Sequence, residues 1–129
     1  MKRFTIVLGV VVAVFAVVAY VSAGTPREEK AVIVGEVIDI TSYGMLGRLG
    51  EENREAGLYR AKQGFPVGIL EEETGKVYIA VYRVPVPAAG LTTANGVLSP
   101  FMGQKVVVSG FKYSMPGLNI VQISIVSEY

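Results

Sequence analysis

The spacing of apolar residues changes character along the chain. Residues 4–23, FTIVLGVVVAVFAVVAYVSA, are apolar, with no charge and no proline. That length is close to the ~20 residues that cross a bilayer as a helix. Thr25-Pro26-Arg27-Glu28-Glu29-Lys30 is polar and predicts a tether. Beyond it the period shortens towards two. Residues 31–40, AVIVGEVIDI, are β-branched and roughly alternating, which predicts a strand. Gly35 marks a bulge or bend in it, and Ser42-Tyr43-Gly44 closes it. Residues 45–50 read as a Gly-rich loop. Residues 51–63, EENREAGLYRAKQ, are the one good helical stretch of this part. Glu51 and Glu52 suit its start and Lys62 its end, complementing the helix dipole, and Ala56, Tyr59 and Gln63 define a weakly apolar face. Residues 65–71 and 76–84 predict a hairpin about Glu72-Glu73-Thr74-Gly75, ended by Pro85 and Pro87. In the longer connection over 88–104, residues 98–103 are expected to pack a short turn across the bottom of a barrel. Residues 104–113 and 118–127 predict two more strands around Ser114-Met115-Pro116-Gly117, with Gly110 as a second bend.

Five strands with one helix between the first two predict a mainly β fold. The expected form is a small five-stranded oligonucleotide/oligosaccharide-binding (OB)-like barrel with one inserted helix, preceded by an N-terminal hydrophobic helix. Strand spacing is too uneven for a seven-stranded sandwich. The expected division is a signal peptide or transmembrane anchor over 1–24, a tether over 25–30 and the barrel over 31–129.

The leader has the chemistry of export. Lys2-Arg3 form a positive n-region, and Val21-Ser22-Ala23 places small residues where cleavage after Ala23 is expected. Its apolar core exceeds the ~7–15 residues of a signal peptide, so a cleaved leader and a retained anchor both remain open. Charge before the segment favours a cytoplasmic N-terminus. Either reading makes the membrane a partner through residues 4–23. It leaves the barrel at the outer face of the cytoplasmic membrane, in the periplasm or outside the cell.

Composition narrows the chemistry. The 129 residues contain neither Cys nor His, which excludes thiolate and imidazole metal sites, Cys nucleophiles and Ser-His-Asp triads within the chain. Leaving out Lys2 and Arg3, 10 basic residues face 11 acidic ones. A near-neutral surface argues against nucleic acid as a partner. Tyr43, Tyr78, Tyr82 and Tyr113, with Tyr59, are candidates for a stacking face towards sugars or peptides, and core packing is the commoner use of such residues. Met45, Met102 and Met115 fall in predicted loops without close ligand spacing. Glu71, Glu72 and Glu73 lack the spacing of a calcium loop. Glu36 and Asp39 sit three apart on a strand, on opposite faces unless a bulge intervenes. Gly44, Gly47 and Gly50 lack the Lys-Ser/Thr ending of a phosphate loop. No catalytic constellation, cofactor or metal site is therefore expected.

Gly35-Glu36-Val37-Ile38-Asp39 with Tyr43, the 64–70 segment GFPVGIL, Gly75-Lys76-Val77-Tyr78, and the 103–110 segment GQKVVVSG together resemble a family of small exported OB-fold proteins. The resemblance covers residues 33–126. It implies a Cys before the Tyr, a His in the following loop and a Cys pair in the helix. Here Ser42 precedes Tyr43, and the helix around Ala56 and Arg60 has no Cys. The scaffold is kept without its reactive set, which counts against a metal or redox role. The expected function is a binding or assembly domain without catalytic activity, with a protein partner or self-association. The alternative is a structural subunit of a surface filament or envelope complex, its hydrophobic helix packing with copies of itself.

Overall fold

The computed structural model describes residues 27–82 and 93–129. Expectations for the leader and its cleavage after Ala23, and for Pro85 and Pro87, lie outside these residues. The strands are β1 (Arg27–Asp39), β2 (Val67–Glu71), β3 (Val77–Tyr82), β4 (Lys105–Met115) and β5 (Leu118–Glu128). Helices α1 (Ile40–Leu46) and α2 (Arg54–Lys62) join β1 to β2, and α3 (Ala94–Leu98) precedes β4. The protein is mainly β, and its strands close into a barrel in the order β1-β2-β3-β5-β4. All neighbours are antiparallel except β3 and β5, which run parallel.

Alternation fills the interior. Ile33 and Val37 of β1, Val67 and Ile69 of β2, Tyr78 of β3, Val106 and Val108 of β4, and Val121 and Ile123 of β5 are all buried in one cluster. Each such side chain contributes about 1.5–3 kcal/mol by leaving water. β4 and β5 shift register between Ser109 and Gly110. A Cβ on Gly110 would lie 2.0 Å from the Gln122 carbonyl oxygen, so the bulge needs glycine there.

One end of the barrel is plugged. Leu98 of α3 and Met102, just after the 3-10 turn Ser99–Phe101, are essentially inaccessible and join Ala61 of α2 in the core. The 98–103 segment thus covers the barrel end. Asn95 Nδ2 donates to the Ala61 and Phe65 carbonyls at 2.9 and 2.8 Å, tying α3 to the end of α2. Thr93 caps α3 by accepting from the Gly96 N–H.

Three local expectations are corrected. β1 begins at Arg27, inside the expected tether, because Arg27 to Lys30 pair with Ser114 to Phe111 of β4. Ile40 to Leu46 form α1 in place of a strand end and loop. The Ile40 N–H donates to the Pro66 carbonyl, and Gly47, at φ 65, caps the helix with its N–H towards Tyr43 and Ser42. Finally, α2 does not bury the face of Ala56, Tyr59 and Gln63. Tyr59 is 67% exposed, while Gly57 and Ala61 are buried. The missing side chain of Gly57 admits Met102, whose Sδ would sit 2.8 Å from a Cβ there.

Candidate binding groove

Where β1 becomes α1, a polar cluster is built into the plugged end. Asp39 Oδ2 accepts from Ser42 Oγ at 2.7 Å and from Arg60 Nε at 2.5 Å, and Arg60 Nη2 also donates to Ser42 Oγ. Asp39 is 2% exposed and its Oδ1 has no hydrogen-bond partner. A charge so placed depends on its partner, because an uncompensated buried ion is strongly unfavourable. The adjoining crevice between β1 and the loop of Arg48, Leu49 and Gly50 has no room for a water molecule. Asp39 is therefore a structural anchor for α2. Glu36 turns elsewhere: its Oε2 accepts from the Gly50 N–H at 3.0 Å. The two carboxylates thus hold different partners, as strand geometry requires. Ser42 and Arg60 are in direct contact.

A groove of about 380 Å³ opens on the outer surface of β1 and β2. Gly35 and Leu70 line it, with Tyr43 from α1, Lys105 from β4, and Glu36, Glu71, Glu72 and Gly75 around them. Its size falls within the ~300–1,000 Å³ of small-ligand sites. The carboxylates are already engaged. Lys105 Nζ lies 2.8 Å from Glu72, and Thr74 donates to Glu71. The Glu72 hydrogen bond holds the Lys105 ammonium above its usual pKa, and the Tyr129 ring lies over that ammonium at 3.7 Å. The groove thus presents Tyr43, a cation held by Glu72, and the strand surface at Gly35 and Leu70.

The structure does not bring the candidate tyrosines together. Tyr43 lines the groove. Tyr78 is 1% exposed inside the barrel, so it is a core residue and offers nothing to a ligand. Burial pushes its phenol pKa up, and the Glu71 carboxylate adds to the rise. Tyr82 lines a separate cleft of about 180 Å³ with Pro66, Ile79, Val81 and Asn95. Tyr113 lies on β4 opposite Ile120 and donates to Gln122 Oε1 at 3.2 Å. The methionines scatter too: Met45 is exposed on α1, Met102 is buried and Met115 ends β4. Among the described residues no group of three or more acidic side chains is placed to hold a metal ion.

Fold and site together describe a closed five-stranded β-barrel domain with a surface groove on β1 and β2. No family model, curated protein or solved structure matches the chain.

Proposed function

We propose that this is an exported, membrane-tethered binding domain of OB-like type, without catalytic activity, that takes a short peptide or saccharide segment in the Tyr43 groove. The strand order, with a parallel β3–β5 contact and a helix before β4, supports the OB-like reading. The uncharged stretch at 4–23 supports export. The groove carries the functional reading: it is the described cavity that combines ligand size with a candidate aromatic. Titrating the full chain in mild detergent with peptide and oligosaccharide libraries tests it. Tyr43→Ala is expected to weaken the best ligand about tenfold, the ~1.4 kcal/mol of a lost aromatic contact, while Tyr113→Phe leaves it unchanged. Equal binding by Tyr43→Ala would move the site elsewhere.

A second reading, an assembly subunit, draws on one observation. Val32, Ser109 and Ile125 form a single cross-strand row over β1, β4 and β5. Its two ends, Val32 and Ile125, are 67% and 66% exposed. Two exposed apolar side chains flanking Ser109 on one face favour a protein contact there. Large homo-oligomers in detergent support this reading, and a monomer removes it.

A further inference from the structure

The β4–β5 hairpin pairs with the first residue of β1, the strand that follows the apolar leader in sequence. Arg27 pairs with Ser114, and Met115 pairs with Leu118 around a two-residue turn of Pro116 and Gly117. The tip therefore projects past the first residue of β1. From Ala23 to Arg27 the chain can span at most about 14 Å. The tip is uncharged: Met115 is half-buried, Pro116 and Gly117 are exposed, and Leu118 is 43% exposed. Pro116 brings no N–H that would need a partner away from water. Behind the tip come the Ser114–Asn119 pair, in register with Arg27, then Tyr113 opposite Glu28, then Lys112, whose Nζ lies 3.5 Å from Glu29. An uncharged apolar tip with a tyrosine and a lysine further back along the same strand is an arrangement that a membrane interface selects.

Resting on the reading of residues 4–23 as a membrane anchor, we propose that the Met115-Pro116-Gly117-Leu118 tip inserts into the bilayer interface beside that anchor. The barrel is then held against the lipid at two points, with one orientation for its groove. Another exposed apolar group, Met45, Leu46 and Leu49, follows the opposite end of the 13-residue β1. It is up to about 40 Å away along the strand, beyond the tether's reach.

The chain has no Trp, so a single introduced indole reports depth without background. The full chain, residues 1–23 retained, is reconstituted into phosphatidylcholine/phosphatidylglycerol vesicles with brominated acyl chains, as Leu118→Trp and, separately, Met45→Trp. Flotation with the vesicles, a blue-shifted Leu118→Trp emission quenched by bromine, and an unquenched Met45→Trp are expected. Flotation without quenching at Leu118→Trp, or with quenching only at Met45→Trp, overturns the tip contact and leaves the anchor standing. A blue shift without quenching places a second copy on the tip and likewise overturns it. Failure to float removes the anchor, and the tip contact with it.

Discussion

The two ends of the barrel are built on different physics. At one end β1 runs into α1, and α2, α3 and Met102 close the interior around Leu98. A buried carboxylate and its guanidinium fix the closing helices there. At the other end the chain turns back through a two-residue hairpin, and the first strand stands against β4 alone until β2 joins at Gly35. The plugged end concentrates buried contacts and low tolerance to change. The hairpin end has few of these, and at its tip Leu118 stands 43% exposed. Stability therefore resides mainly at one end, leaving the other free to meet a surface.

The largest test of that contrast is Met102→Ala. Met102 is 1% exposed and fills the space over Gly57, so truncation removes apolar contacts and leaves a cavity. The expected loss is about 2–5 kcal/mol, read by chemical denaturation. The matching truncation at the hairpin end, Leu118→Ala, is expected to change stability by no more than about 0.5 kcal/mol. Similar losses at both ends would end the distinction.

Next comes the ion pair. Arg60→Leu leaves the Asp39 carboxylate buried beside Ser42 alone, and should destabilise by about 3 kcal/mol, the lower part of the range for a broken buried pair. The guanidinium is partly in water, at 28% exposure, which is why the lower part applies. Replacing both, with Asp39→Leu added, should recover much of that loss, because no orphan charge remains. If the double variant is less stable than Arg60→Leu, the carboxylate has a role beyond its pairing.

Much of the barrel can be read from the chain, and much of the plug cannot. Alternation exposes β1, β4 and β5, and Gly75 and Gly117 mark the two hairpins by their positive φ. Gly110 announces its bulge because no other residue avoids the Gln122 carbonyl. The buried face of α2 stays hidden for a physical reason: it is made of Gly57 and Ala61, which give no hydropathy signal, whereas exposed Tyr59 gives a misleading one. The Asp39–Ser42–Arg60 cluster joins positions up to 21 apart through a helix packing that no local pattern encodes. On β3 both faces are apolar, so the sequence cannot tell that Tyr78 points inward. Tyr43 is legible as a candidate, but its groove partners come from three strands.

Tyr78 sharpens the contrast through pH. Its phenol pKa is raised above the ordinary 10.0 in the folded protein, chiefly by burial and next by Glu71. The folded state thus prefers the neutral phenol. Its contribution is complete below pH 10 and is lost as pH rises through the folded pKa, at up to about 1.4 kcal/mol per pH unit. Urea midpoints from pH 8 to 11 should therefore fall more steeply in the wild type than in Tyr78→Phe. The remaining tyrosines are common to both and cancel in the difference. Parallel curves would mean that the ring reaches water in the native state.

The smallest effect is expected on the outer row of the sheet. Ile125 is 66% exposed and touches the core through neither face of β5, so Ile125→Ser removes little burial that folding had gained. Its denaturation midpoint should shift by no more than about 0.5 kcal/mol in stability terms. The same variant has a second readout that stability does not share. If the Val32–Ser109–Ile125 row seats another copy, Ile125→Ser lowers the oligomer mass in detergent while the fold stays intact. If the row is bare in solution, neither quantity moves, and the groove remains as the surface through which the barrel acts. A stability loss of several kcal/mol would instead show that Ile125 is packed within the monomer.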